Sequence, residues 1–301
     1  MPKAAREMPT SGAEAAGGIA TRESLCWAEV ASLSPALYPE IIHGFSTRKG
    51  AGKRAKGRVD FREPPEGDGK IYRQSLSDLA KELGIAQARI VYPEQEHGNR
   101  VLVLNKDDPP ADLAALRKER ADAIVTNIAN LAIAVRTADC VPILLYDPRG
   151  GAIGAVHAGW RGTVAGVLAR TVQVMVKEFN CEPINLAAAI GPAISMQSFE
   201  VDEPVLGQFR DRFPFWSRFT RPARHGKWLV DLKMINAYIL ASLGVQERNL
   251  ECSPLCTVQD KEWLYSHRRE GEEAGRMLNF IMLHAAQKRK TFRLTRGKGN
   301  P

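Results

Sequence analysis

Three residues share one trait: each interrupts a stretch that reads as a β-strand. His97 lies in "YPEQEHGNRV", Cys140 closes "LAIAVRTADC", and His157 stands in "GAVHAGWRG". Cys140 is followed by Val-Pro, which bends or breaks a strand, and strand ends are where a sheet presents side chains to a cleft. The spacing matches no local metal motif. A buried thiol with two hydrogen-bonded core imidazoles is therefore the plainest reading. If the three converge, two chemistries are open. Two imidazoles and a thiolate make a three-ligand zinc site with a fourth position left for water, whose pKa such an ion lowers to about 7. Alternatively, Cys140 is a nucleophile and His157 its base. Asp139, directly before the cysteine, reads as a proton carrier or as a loop anchor bonded to backbone N–H groups.

Two arginines extend the candidate site. Arg161 and Gly162 precede the helical run "TVAGVLARTV", and a helix start suits an anion. Arg48, in "FSTRKG", offers the same service from a loop. Each also reads as an ordinary surface arginine. Trp160 reads as plain packing, with ring stacking as the alternative. Gly159 and Gly162 are read as the residues that let the chain turn sharply here.

These residues need strands to hold them, and the middle of the chain is dense with candidates: "RIVYPEQ", "RVLVLN", "DAIVTN", "LAIAVRT", "VPILLYD" and "GAIGAVH". The last two form a hairpin through "PRGG". "NLAAAIGP" is a further strand. Helical spacing marks "RQSLSDLAKELGI", "TVAGVLARTVQVMVKEF", "VDLKMINAYILASLGV" from Asp231 to Gly244, and a terminal helix in "EEAGRMLNFIMLHAAQK". Strands flanked by helices give an α+β domain with helices covering sheets. The Gly-, Lys- and Pro-rich segment from Arg48 to Gly69 reads as a long irregular loop.

Composition sets the outer bounds. With 44% hydrophobic and 25% charged residues the chain is an ordinary globular protein. The five cysteines suggest no dense disulfide framework, and the C-x3-C pair Cys252/Cys256 has no partner pair at zinc-finger spacing. No run approaches the roughly 20 apolar residues of a membrane span. The N-terminus lacks a hydrophobic signal core, so a cytoplasmic location is expected. Residues 1–24 and the basic segment 288–301 read as disordered tails around a single domain over 25–287. The net charge of +8 lies largely in "KRKTFRLTRGKGNP" and "RKGAGKRAKGRVDFR". No nucleic-acid motif accompanies it, so neither nucleic acid nor membrane is an expected partner. A binder acting through the basic tail stays as a third, non-enzymatic reading.

Taken in order, "HGFSTR", "EQEHGNRV", "ADAIVTN", "LAIAVRTADCVPILLYD", "GAIGAVHAGWRG", "AAIGPAI", "SFEVDEPV", "CT" and "LYSHRREGEEAGRM" resemble one family, the YfiH-like laccase-domain proteins, over roughly residues 40–285. The resemblance implies an α-β-β-α sandwich of mixed sheets, cysteine-hydrolase-like. It places a His-Cys-His metal site on His97, Cys140 and His157. It implies a zinc enzyme, with copper as the other candidate, that phosphorolyses adenosine, inosine, guanosine and methylthioadenosine and deaminates adenosine. Purine nucleosides and phosphate would be its partners, and a monomer or weak homodimer its state. Some relatives are linked to peptidoglycan quality control, which keeps a Cys–His amide hydrolase acting on a peptidoglycan precursor as the alternative. The sequence departs from the family in "KGAGKRAKGRVDF", which replaces a Gly-Gly-Val-Ser type loop and an Asn-Leu segment, and in lacking a cysteine after Gly-Pro. An oxidase with type 1 and trinuclear copper needs about ten histidines. Six in total exclude that mechanism.

Overall fold

The computed structural model describes residues 19–21, 25–51, 57–64, 67 and 69–284. Two six-stranded sheets carry the architecture. The first runs β1 (Ile19–Thr21), β2 (Leu25–Ala28), β3 (Ile41–Gly50), β15 (Met277–Leu283), β7 (Ala132–Thr137), β4 (Ile90–Val91). The second runs β14 (Leu250–Cys252), β10 (Ala187–Ile190), β8 (Val141–Asp147), β9 (Ala152–Ala158), β6 (Ala123–Thr126), β5 (Val101–Leu104). Both sheets are mixed, because β4/β7, β5/β6 and β10/β14 pair in parallel and the rest are antiparallel. A small third sheet joins β11 (Glu200–Val201), β13 (Trp228–Val230) and β12 (Thr220–Pro222).

Side-chain alternation along the strands divides the core into layers. Ile133 and Val135 of β7 meet Phe45, Ile281, Leu144, Tyr146, Ile153 and Ala155 between the two sheets. Ala132 and Ala134 point the other way. There Leu76, Leu79 and Leu83 of α1 (Lys70–Leu83) cover the first sheet with Leu278, Phe280 and Met282. The second sheet is covered by α3 (Val167–Phe179) and α5 (Leu232–Ser242), through Leu168, Val172, Met175, Ile235 and Leu240. This is the expected α-β-β-α sandwich. The two remaining helices of more than one turn are α2 (Trp160–Ala165) and α4 (Glu203–Arg212), and α6 (His267–Glu270) is a single turn.

The β8–β9 hairpin forms as read, pairing Val141 with Ala158 through to Asp147 with Ala152. α5 starts at Asp231, whose carboxylate caps the Met234 amide at 3.0 Å, and ends before Gly244 at φ 100°. Other expectations are corrected. "MLNFIML" is not a terminal helix but the central strand β15, paired on both sides with β3 and β7. All seven of its residues are buried, so both faces are apolar and the two-residue period is hidden. The helix read from Thr163 begins at Trp160 and is divided at Gly166, which adopts φ 82°. The irregular segment from Arg48 starts later, since β3 continues to Gly50. Ile19–Thr21, inside the expected N-terminal tail, pairs with β2 as an edge strand. The basic tail 288–301 lies outside the described residues.

Candidate metal centre

The three interrupted strands meet at one end of the sandwich. His97 sits in the connection from β4 to β5 and Cys140 in the connection from β7 to β8, so each lies where the chain passes between sheets. His157 stands on β9, opposite Pro142. The ligand atoms of all three lie within 4.8 Å of one another. Cys140 Sγ is 3.8 Å from His97 Nε2, and the two imidazoles meet edge to face at 4.9 Å between centroids.

Asp122, just before β6, organises this convergence. Its side chain is fully buried. Oδ1 accepts the His157 Nδ1–H at 2.7 Å and the His97 backbone N–H at 2.9 Å, and Oδ2 accepts the Gly98 N–H at 2.6 Å. One carboxylate thus fixes the His157 tautomer with Nε2 free, and pins the loop on which His97 adopts a left-handed φ of 61°. Burial alone would raise the Asp122 pKa, but the bond to His157 and the amides of Gly98 and His97 hold it below the usual carboxylate value.

The thiol and imidazole influence each other in the same way. Burial opposes ionisation of Cys140, yet the neighbouring His157 and His97 pull its pKa down to about 6. Burial likewise opposes the charged form of His157, while Cys140 and Asp122 push its pKa up to about 9.

The donor set fits zinc. Tetrahedral zinc, with bonds of about 2.3 Å to sulfur and 2.0–2.1 Å to nitrogen, separates those two ligands by about 3.5 Å. The observed 3.8 Å between Cys140 and His97 is close to that. Two nitrogens and one sulfur also suit copper. The backbone makes room for the cluster at Gly159, where an added Cβ would lie 3.0 Å from both Cys140 Sγ and His97 Cδ2. Gly162 is similarly tight, 3.1 Å from the Gly98 carbonyl. Gly159 has an ordinary φ of −64°, so closeness rather than a sharp turn demands glycine there.

A cleft of about 650 Å³ opens over the centre. Asp139 borders it but is occupied. Its carboxylate accepts from the Thr257 hydroxyl and from the Arg268 backbone N–H, both at 2.6 Å, and holds the residue at φ 94°. It anchors the loop that carries Cys140. Arg161 lines the cleft, its guanidinium stacked 4.5 Å over the Trp160 ring, while that ring also packs on the core beneath the second sheet. Arg48 does not line it. On β3 its guanidinium bonds Glu270 at 2.7 Å and lies 4.5 Å over Tyr265, so the expected anion contact is corrected to a structural ion pair. Arg62, Arg136, Arg268 and Arg276 line the cleft without having been singled out in the sequence. A charge inside the apolar run "LAIAVRT" was the available signal for Arg136, and an acid opening "DAIVTN" was that for Asp122.

Residues 42–284 match the family model described as multi-copper polyphenol oxidoreductase laccase. The chain belongs to this laccase-type family. Among relatives, it is 33% identical over 255 residues to a purine nucleoside phosphorylase of Bacteroides thetaiotaomicron, covering 82% of this chain and 93% of that protein. It is 32% identical over 260 residues to adenosine deaminase RL5 of an unknown prokaryotic organism, covering 84% and 98%. Among solved structures, YlmD of Geobacillus stearothermophilus superposes with a TM-score of 0.78 at 28% identity, covering 89% of this chain and 99% of that one. The YfiH protein of Bacillus licheniformis superposes with a TM-score of 0.74 at 26% identity, covering 87% and 97%. The laccase-type domain therefore includes both ligand-bearing connections and β9. Among the described residues, His97, Cys140 and His157 are its one cluster of metal-ligating type.

Proposed function

We propose that the chain is a zinc-dependent purine nucleoside enzyme. It phosphorolyses adenosine, inosine, guanosine and methylthioadenosine to base and ribose 1-phosphate, and deaminates adenosine to inosine. The observation that carries this reading is the convergence of His97, Cys140 and His157 in a cleft lined by arginines. Relatives named as a purine nucleoside phosphorylase and an adenosine deaminase, matched over most of their length, supply the substrate class. When bound, the metal supplies Lewis-acid polarisation at the cleft floor.

The chain's own groups do the rest. Asp122 keeps the proton of His157 on Nδ1 and so presents Nε2 as a ligand. Trp160, Ile194, Phe199 and Leu232 give the cleft an apolar part against which a purine plane packs and from which it excludes water. The arginines supply positive charge for the phosphate.

The test joins metal analysis to turnover. Purified protein is expected to carry about one zinc and to consume adenosine both with and without phosphate. A Cys140→Ser, His157→Ala double variant should lose the metal and both activities. Full activity in that variant sinks the proposal.

The lowered Cys140 pKa favours one second reading, a Cys–His amide hydrolase. Iodoacetamide separates the two. A metal-bound thiolate is protected until chelation, whereas a free nucleophile alkylates before and after it equally.

A further inference from the structure

Three of the cleft arginines differ from the ion-paired arginines of this protein. Arg48, Arg58, Arg100, Arg210 and Arg269 each hold a carboxylate at 2.7–3.1 Å. Arg62, Arg136 and Arg276 line the cleft, are only partly exposed, and form no ion pair among the described residues. Among the described residues the Arg276 guanidinium donates to the carbonyls of Ala274 and Gly275, and that of Arg136 lies 4.9 Å over the Tyr92 ring.

Their juxtaposition is built by the backbone. Asp60 Oδ1 accepts the amide N–H of Arg62 and that of Arg276, each at 2.9 Å, and the Phe61 N–H bonds the Arg276 carbonyl at 3.0 Å. In the β7–β15 ladder Arg136 pairs with Leu278, two residues beyond Arg276, so strand alternation puts Arg136 and Arg276 on one face of the first sheet. Arg62 follows directly on the segment that departs from the family pattern. The Arg276 side chain loses proton affinity through burial and then through repulsion by Arg62, with Arg136 adding to it and Cys140 and Asp60 partly offsetting it, so the three charges act on one another. Of the acids bordering the cleft, Asp139 is engaged with Thr257 and Arg268, and Glu272 lies 3.3 Å from His267. Glu63 and Glu94 complete the acidic lining, and neither pairs with the three arginines.

Adjacent guanidiniums that form no ion pair among the described residues make a site for a compact, multiply charged oxyanion, which they bind through forked, charge-assisted hydrogen bonds. The division of the cleft supports this. Arg62, Arg136 and Arg276 belong to the first sheet and its connections, while Trp160, Ile194, Phe199 and Leu232, with Arg161 beside them, belong to elements flanking the second. We propose that Arg62, Arg136 and Arg276 form the subsite for the phosphate dianion that attacks the nucleoside, an inference that rests on the phosphorolysis reading above. In the reaction, an oxygen of the hydrogen phosphate dianion bonds to C1′ as the C1′–N9 bond breaks. The electron pair of that bond stays on N9, and the phosphate's proton ends on the departing purine. The arginines position the nucleophile and offset its charge.

The experiment uses full-length, zinc-loaded protein and two readouts. In steady-state phosphorolysis with inorganic phosphate varied, Arg62→Gln and Arg276→Gln are each expected to raise the KM for phosphate about tenfold or more. The KM for nucleoside should change far less, the ratio of phosphorolysis to phosphate-free deamination should drop about tenfold, and Arg62→Lys should recover part of the loss. In thermal melts without nucleoside, inorganic phosphate should raise the Tm of the wild type and not of the glutamine variants. A phosphate KM within twofold of wild type in both variants overturns the assignment, as does a phosphate-induced Tm rise that persists in them. A Tm rise that needs Arg62 and is produced by adenosine 5′-monophosphate but not by inorganic phosphate also overturns it, because the anion would then be carried on a nucleotide. Phosphate binding that depends on Arg62 in a protein without phosphorolysis would uphold the subsite and defeat the nucleoside reading. Phosphorolysis with a phosphate KM indifferent to Arg62 and Arg276 would do the reverse.

Discussion

Asp122 carries more of the site than any ligand does, because one buried carboxylate serves an imidazole and two backbone amides. Asp122→Asn keeps the volume and removes the charge that holds the His157 proton on Nδ1. Metal affinity is expected to fall 10–100-fold, with a smaller effect on folding, and competition with a chromogenic chelator measures the loss. A variant that binds metal as tightly as wild type would show that the imidazole is oriented by packing alone. At this scale the sequence was only partly legible. His97, Cys140 and His157 announce themselves because histidine and cysteine are rare and stand at strand breaks. Asp122 and Arg276 do not. An acid or an arginine beside a strand is common, and only the fold shows that Asp122 reaches His97, 25 residues before it, and His157, 35 residues after it. Arg48 was misplaced for the same reason, since its partner Glu270 is 222 residues away.

At the scale of elements, connections between strands do the positioning, and tight backbone approaches hold those connections. Gly191 directly follows β10, and an added Cβ would lie 2.2 Å from the fully buried Phe45 ring of β3 on the facing sheet. Gly191→Ala is therefore expected to cost about 2–3 kcal/mol, seen as a lower urea midpoint with little change in slope. An unchanged midpoint would mean that the Phe45 ring has room to shift. Helix identity was readable where one face is buried and one exposed, as in α1, and the β8–β9 hairpin, although buried at all of its strand positions, was readable from the "PRGG" turn that joins two short runs. The reading failed at β15, where burial on both faces erases the alternation and no hairpin turn beside the run supplies a second signal.

For the whole molecule, the packing between layers makes stability depend on pH. His43 lies 2% exposed on β3, its Nε2 accepting the Val30 amide at 3.2 Å, and burial lowers its pKa to about 4. In the unfolded chain an ordinary histidine titrates near 6.5. Between those values the unfolded state binds the extra proton. Its contribution to stability is thus complete above about pH 6.5 and is lost as pH falls toward 4, on the order of 3 kcal/mol in all. Urea denaturation at pH 7, 5.5 and 4 should show this slope, and His43→Gln should flatten it. A profile of equal slope in the variant would assign the acid sensitivity elsewhere.

The placement of His97 and Cys140 on two separate passages of the chain between the sheets has a practical consequence. A slip of one residue between β7 and β8 would put Asp139 where the thiol belongs, and a sandwich assembled in the wrong register would scatter the three ligands. Metal stoichiometry in a preparation therefore counts correctly assembled molecules, and an assay of bound ion doubles as a measure of how much of the protein has reached its native topology.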